Sequence, residues 1–193
     1  TAARDLALSQ TRLLTRHCAN AIRAIHRDET EIAQDHLRSA KDLIDQLKRD
    51  LADYPDLYFA GYTQDALKEF AEANLVLALI IGDHLPTPQD LGLEASTYMQ
   101  GIAEAIGELR RRCLDQMRQG HSEDADRLLG LMDDIYTELV TMDYPDAITG
   151  GLRRLTDIAR SILERTRGDL TLSFRQEQLE KLLAQTEKRL NEG

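Results

Sequence analysis

Apolar residues recur every three or four positions along almost the whole chain, and no stretch shows the alternation expected of a half-buried strand. This spacing predicts an all-α protein in which about seven helices stack antiparallel. No linker or low-complexity stretch divides the sequence, so we expect a single helical domain over residues 1–193. The predicted helices span approximately Ala2–Arg27, Glu31–Ala52, Thr63–Asp83, Glu94–Gln119, Ser122–Thr141 and Asp146–Arg167, with a last helix from Ser173.

Glycine and proline mark the expected ends of the later helices. Gly120 and the Tyr144-Pro145 pair are typical stops. Gly150-Gly151 should weaken the sixth helix, and Gly168 should end it. Ser173-Phe-Arg-Gln176 has the pattern of a capping box, which predicts the start of the last helix.

Two features of the sequence favour a cytoplasmic protein. The longest apolar run, from Leu75 to Ile81 in the third predicted helix, is far too short to span a membrane. Cys18 and Cys113 lie far apart and form no CxxC pair, so buried free thiols are expected rather than a disulfide framework or a zinc site.

The third helix is apolar nearly all round, which predicts burial within the domain or between subunits.

Two pairs of glutamates are the strongest candidates for chemistry. Glu69 and Glu72 are three residues apart, and Glu104 and Glu108 are four apart, so each pair shares one face of its helix. If the two helices pack antiparallel, the four carboxylates converge into an oxygen-only ligand set of the kind that magnesium or manganese prefers. Such a set can activate a water for hydrolysis. The alternative is that both faces are solvated, with Glu108 paired to Arg112.

The formal net charge is −10, which does not favour nucleic-acid binding by the surface as a whole. Basic residues are nevertheless concentrated on the first helix, and arginine and histidine suit phosphate contacts. Aromatics are only 5% of residues, so RNA binding would act mainly through the backbone. A face of solvated salt bridges remains the alternative. The candidate RNA-binding residues are Arg12, Arg16, Arg23, His26 and Arg27.

Several other kinds of site are excluded by the sequence. No histidine follows a glutamate by three residues, so the Glu-x-x-His pair of di-iron bundles is missing. The chain contains neither a Gly-x-x-x-x-Gly-Lys phosphate loop nor a Gly-x-Ser-x-Gly elbow.

The glutamate pairs lie in segments that resemble the translin family, and in particular its factor-X branch. Glu69-Phe-Ala-Glu72-Ala73 resembles a Glu-aromatic-x-Glu-Ala motif of that branch. The segment from Tyr98 to Leu109 resembles the family's Tyr-Leu-x-Gly-x-x-Asp-x-x-Gly-Glu-Leu motif, with Glu104 in place of the aspartate. The segments 152–159 and 165–168 are similar to the family's C-terminal helices, and the likeness extends from about Ile22 onward.

This resemblance implies an all-α translin fold assembled as a homo-oligomeric, octamer-like shell that binds single-stranded RNA inside. It also implies RNA cleavage with Mg²⁺, or with Mn²⁺, because translin itself lacks the acidic set that this sequence keeps. Carried over by position, Glu69, Glu72 and Glu104 are the implied catalytic metal ligands, and Glu108 is a fourth carboxylate. The expected function is therefore a metal-dependent endoribonuclease.

Three other functions stay open from the sequence. A non-catalytic RNA-binding subunit of the same shell would show no metal dependence. An all-α nucleotide pyrophosphohydrolase also places Glu-x-x-Glu on helices, but it needs a second Glu-x-x-Asp motif, whereas the second pair here is Glu104-x-x-x-Glu108. A helical scaffold protein without any site is the third alternative.

Overall fold

The computed structural model describes residues 2–191, and within this range it contains helices and no strand. The expected all-α fold is therefore confirmed. Six helices are long, and three consist of a single turn, so the described range holds nine helical segments rather than about seven. They are α1 (Ala2–His26), α2 (Thr30–Asp50), α3 (Pro55–Tyr58), α4 (Gly61–Ile81), α5 (Pro88–Leu91), α6 (Ala95–Arg118), α7 (Ser122–Thr141), α8 (Asp146–Thr149) and α9 (Leu152–Asn191).

Helices α4 and α6 form the centre of the molecule. On one side, α4 packs against α1 and α2 around a core that includes Phe70 and Leu75. On the other side, α6 packs against α7 and α9 around Ile106 and Leu109. The apolar run of α4 is buried within the chain, as its all-round hydrophobicity predicted. The two segments that carry the glutamate pairs are thus neighbouring helices.

The contact between α4 and α6 depends on a small residue on each helix. A Cβ atom added to Gly101 would lie 2.6 Å from Ala71 Cβ and 3.0 Å from the backbone nitrogen of Glu72. Only glycine therefore fits at this position of α6 without moving α4. Gly107, six residues later on the same helix, has no such neighbour within 4 Å.

The sequence-based boundaries are wrong at the C-terminal helices. Gly150 and Gly151 both have positive φ angles, 62° and 86°, so they separate the one-turn helix α8 from α9 instead of weakening one helix. Gly168 does not end a helix, and Ser173 does not start one, because α9 is continuous from Leu152 to Asn191. Thr166 and Leu170, on either side of Gly168, are buried, and this packing keeps the segment helical.

Within residues 2–191 one capping box is present, and it lies at Thr87 rather than at Ser173. The Thr87 hydroxyl accepts a hydrogen bond from the backbone N–H of Asp90, and the Asp90 carboxylate accepts one from the backbone N–H of Thr87. It opens α5, in a region expected to be a loop between two helices. Cys18 and Cys113 are buried free thiols, as expected.

The last part of α9 has no partner within the chain. Beyond Phe174, nearly every described residue of this helix is exposed. The exposed leucines of α9 are Leu172, Leu179, Leu182, Leu183 and Leu190. Across residues 2–191, every helix is too short or too polar to act as a membrane span.

Candidate metal centre

Four glutamates lie near one another where α4 and α6 pack. Glu69 and Glu72 lie one turn apart on α4, and Glu104 and Glu108 lie one turn apart on α6. All four side chains are partly buried. Lys68, next to Glu69 on α4, lies 2.9 Å from Glu104, and Gly101, one turn before Glu104, packs against Ala71 and the backbone of Glu72. The two pairs therefore lie on the contacting sides of α4 and α6.

Glu72 is the most strongly perturbed carboxylate of this group. Burial raises its pKa to about 8, and the negative charges of Glu104, Glu108 and Glu69 add to this effect, while Lys68 opposes it. Ionised Glu72 is therefore short of compensating positive charge. Burial also raises the pKa of Glu69, against the opposing effect of Lys68.

Cys18 of α1 lies beneath the same pair of glutamates. Burial raises the pKa of its thiol, and the charges of Glu69 and Glu72 raise it further. The thiol is thus held protonated as an apolar side chain, and it offers no anionic sulfur ligand. The donors at this place are carboxylate oxygens, which suit magnesium or manganese better than zinc.

Lys68 supplies a positive charge to Glu104. Its ammonium group lies 2.9 Å from Glu104 Oε1 and 3.6 Å from Asp65 Oδ1. The lysine side chain is only 17% exposed, and these acidic neighbours raise its pKa despite its burial. Sequence reasoning missed Lys68, because its partner is on another helix. Its positions next to Glu69 and three residues after Asp65 are the sequence signals that could have drawn attention to it.

His26 is the hydrogen-bond partner of Glu108. Its Nε2 lies 2.5 Å from Glu108 Oε2, and the side chain is only 4% exposed. This hydrogen bond is the main reason why the pKa of Glu108 lies below its ordinary value. His26 was expected on the RNA-binding face of the first helix, but the structure places it inside the carboxylate group instead.

The four glutamates with their two partners form what we call the carboxylate centre: Glu69, Glu72, Glu104, Glu108, Lys68 and His26. In this arrangement, residues 2–191 hold no group of three or more histidine, cysteine or acidic side chains spaced closely enough to bind a metal ion. Two of the glutamates already have protein partners, since Glu104 is paired with Lys68 and Glu108 is hydrogen-bonded to His26. Side-chain movements would be needed for three of them to meet at one ion.

The remaining predicted RNA-binding residues are exposed, three of them on α1 and Arg27 in the turn that follows it. Arg12 and Arg16 line a surface groove with Leu8 and Leu13. Arg23 donates a hydrogen bond to Asn20, and Arg27 forms an ion pair with Glu29 at 2.7 Å.

The basic residues of α6 mostly have structural partners. Arg110 donates hydrogen bonds to Thr166 at 3.0 Å and to Asp169 at 2.8 Å, which joins α6 to α9. Arg112 is paired with Asp28 at 2.5 Å. Arg118 pairs with Asp115 on its own helix at 3.0 Å.

Comparison with known proteins shows the family to which this chain belongs. No protein-family model matches the chain. An uncharacterized protein of Methanocaldococcus jannaschii is 34% identical over 169 residues, which cover 86% of this chain and 74% of that protein. The crystal structure of AfC3PO matches with a TM-score of 0.82 and 33% identity over 89% of this chain and 90% of that one. This chain belongs to the translin family.

Two further solved structures share this fold. AfC3PO has also been solved as a complex with duplex RNA, and this structure matches with the same TM-score of 0.82 and 33% identity over 89% of each chain. Apo-NeC3PO matches with a TM-score of 0.80 over 89% of each chain, but at 20% identity its likeness shows the fold alone. The translin-like fold suggested by the two sequence motifs is thus confirmed.

Proposed function

We propose that this chain is a metal-dependent endoribonuclease in which Glu69, Glu72, Glu104 and Glu108 hold Mg²⁺ or Mn²⁺. The observation that carries the proposal is the meeting of four partly buried glutamates where α4 packs against α6. The pKa of Glu72, raised to about 8, agrees with this crowding of negative charge. Proteins rarely retain such an arrangement unless a cation compensates it. A divalent ion among these oxygens would do so.

The donor types of these side chains fit such an ion, and side-chain movements would bring three of them to one point. Four carboxylates face one lysine and one histidine, so the centre keeps excess negative charge even when Lys68 and His26 are paired. The donor atoms are oxygens, which suits magnesium or manganese. Glu69 and Glu72 have no ion pair within the described residues, so their carboxylates would be available to hold the ion together with those of Glu104 and Glu108.

The proposed chemistry is hydrolysis of a phosphodiester. The bound ion would supply Lewis-acid activation of a water and neutralise charge on the scissile phosphate. Lys68 holds its ammonium group at the edge of the centre, where it can balance the charge that develops on the phosphate oxygens. Glu104 keeps Lys68 in this place through their 2.9 Å contact.

RNA as the substrate is supported by the relative AfC3PO, whose complex with duplex RNA has been solved. The sequence motifs favoured single-stranded RNA, so both forms need to be tested. The proposed contacts to the phosphate backbone are the exposed arginines of α1 and of the turn after it: Arg12, Arg16, Arg23 and Arg27.

We also propose that the chain assembles as a homo-oligomer, and specifically as an octamer. The exposed leucines of α9 support association, because isolated apolar side chains are ordinary at a surface but a stripe of them on one helix is not. Native mass spectrometry would give the number of chains. A monomer at micromolar concentration would contradict this part of the proposal.

The central experiment is a cleavage assay on the purified chain. Short labelled RNAs, single-stranded and duplex, are incubated with Mg²⁺, Mn²⁺ or a chelator. We expect metal-dependent cleavage that leaves 3′-hydroxyl ends and is abolished in Glu69→Gln and Glu72→Gln. Glu138→Gln, at an exposed position of α7, is the matched control and should cleave normally. Cleavage in the chelator, or in both centre variants, would refute the assignment.

A non-catalytic RNA-binding subunit is the second candidate. The observation that favours it is that Glu104 is already paired with Lys68 and that Glu108 is already hydrogen-bonded to His26. In that case Lys68 and His26 would be permanent partners of the glutamates, and no ion would enter. The two functions differ in one result, since the second predicts RNA binding without cleavage in Mn²⁺.

A further inference from the structure

We infer that His26 is a positioning residue of the carboxylate centre, which fixes the Glu108 side chain in the orientation needed to receive a divalent ion. This inference rests on the proposed function and adds a residue to it. Sequence motifs do not single out His26 for this role, because it lies on α1, far along the chain from both glutamate pairs.

The hydrogen bond between His26 and Glu108 is short and enclosed. Nε2 of His26 lies 2.5 Å from Oε2 of Glu108, and the imidazole is 4% exposed. A carboxylate ion only accepts, so Nε2 carries the hydrogen. His26 Nδ1 is buried and has no hydrogen-bond partner. Within the described residues the imidazole therefore makes one hydrogen bond, which it donates to Glu108.

The position of His26 at the end of α1 determines where along α6 this hydrogen bond forms. His26 is the last residue of α1, and the turn that follows is joined to α6 by a second contact, between Asp28 and Arg112 at 2.5 Å. Arg112 lies one turn after Glu108 on the same face of α6. The C-terminal end of α1 is therefore held to α6 at two successive turns, and only the first of these contacts involves the centre.

The two contacts of Glu108 leave part of its carboxylate for an ion. His26 and Arg111 both approach Oε2, at 2.5 Å and 3.8 Å. Among the described contacts, Oε1 has no such partner. Holding one oxygen restricts rotation of the side chain and leaves the other oxygen available to an ion. Partners of this kind commonly change metal affinity by about 10- to 100-fold when they are removed.

Burial argues against a direct contact of His26 with RNA. A side chain that is 4% exposed cannot reach a phosphate without opening the end of α1. The exposed arginines of α1 remain the candidates for that contact.

The test compares two amides that differ by one methylene group. His26→Gln can place its amide N–H near the position of Nε2, whereas the amide of His26→Asn ends near Nδ1 and cannot reach Glu108. The probe is Mn²⁺ alone, titrated into the full chain without RNA and followed by the paramagnetic resonance of unbound Mn²⁺. We expect His26→Asn to weaken Mn²⁺ binding by about tenfold or more, and His26→Gln to stay within about threefold of the wild type.

Asp28→Asn is the matched control, because it breaks the neighbouring contact between the end of α1 and α6 without touching the centre. It should leave Mn²⁺ affinity unchanged. The inference is overturned if His26→Asn binds as the wild type does, if His26→Gln is as weak as His26→Asn, or if Asp28→Asn weakens binding equally. In these cases the wild type still binds Mn²⁺ and the proposed function stands. A wild-type protein that binds no Mn²⁺ would overturn both.

Discussion

Gly101 of α6 and Ala71 of α4 are in such close contact that a methyl group on Gly101 would lie 2.6 Å from Ala71 Cβ. Gly101 lies one turn before Glu104, and Ala71 lies next to Glu72. The packing of these two small residues therefore sets the distance between the two glutamate pairs. A change that separates the helices would disturb the fold and the carboxylate centre together.

Gly101→Ala should therefore destabilise the protein even though alanine favours helices. The new methyl group would meet Ala71 and the α4 backbone, and overpacking of this kind costs about 1–3 kcal/mol. Gly107→Ala, on the same helix but without a neighbour within 4 Å, should stabilise the protein by up to about 1 kcal/mol. Urea unfolding measures both changes. Equal effects of the two substitutions would mean that α4 and α6 are not in close contact at Gly101.

The raised pKa of Glu72 predicts that stability depends on pH in the absence of metal. Its pKa is 4.5 for an ordinary glutamate and about 8 in the folded protein, so the folded state binds the proton more tightly between these values. Stability should fall as the pH rises from 4.5 to about 8, and then level off. Urea unfolding in a chelator, repeated across this range, measures the slope.

Glu72→Gln should remove most of that slope and make the metal-free protein more stable at pH 8, because glutamine carries no charge. Glu138→Gln, at an exposed position, should keep the wild-type slope. Addition of Mn²⁺ at pH 8 should stabilise the wild type and leave Glu72→Gln nearly unchanged. A slope that persists in Glu72→Gln would show that other groups cause it.

The ion pair between Lys68 and Glu104 should contribute measurably to stability. Because both side chains are largely enclosed, we expect a coupling free energy of about 1–2 kcal/mol from a double-mutant cycle of Lys68→Met and Glu104→Gln. The exposed pair of Arg160 and Glu164 on α9 is the control, and its coupling should be no more than about 0.5 kcal/mol. A coupling for the first pair as small as that of the control would mean that water screens it.

The glutamate pairs were predictable from the sequence, but their partners were not. Spacing alone places Glu69 with Glu72, and Glu104 with Glu108, because a helix repeats its faces every three or four residues. Lys68 and His26 join the centre only through the packing of α1, α4 and α6 against one another. In the sequence, His26 looked like one more basic residue of the first helix, and only its burial distinguishes it.

For the fold as well, features set by the local sequence were predictable, whereas features set by packing between helices were not. Hydrophobic spacing identified the long helices because their buried faces repeat along the chain. The rule that glycine ends helices failed at Gly168, where neighbouring residues are buried against other helices. The sequence also predicted too small an effect for Gly150 and Gly151. Their positive φ angles separate α8 from α9, instead of only weakening one helix.

Gly168→Ala tests this interpretation of α9. In the structure Gly168 is helical and exposed, and a methyl group added to it would meet no atom within 4 Å, so alanine should stabilise the protein by about 0.5–1 kcal/mol. If a helix ended at Gly168 with a left-handed conformation, alanine would destabilise the protein instead. The sign of the change in thermal denaturation midpoint separates the two.

The exposed arginines of α1 should determine RNA affinity without affecting cleavage chemistry. Replacing both Arg12 and Arg16 with glutamine should weaken RNA binding and reduce the salt dependence by roughly one unit of slope per lost phosphate contact. Fluorescence anisotropy with labelled RNA in a chelator measures binding at several salt concentrations. Arg160→Gln on α9 is the control, and its affinity and slope should match the wild type. If the salt dependence of RNA affinity is unchanged in the double variant, the RNA-binding face does not include the groove lined by Arg12 and Arg16.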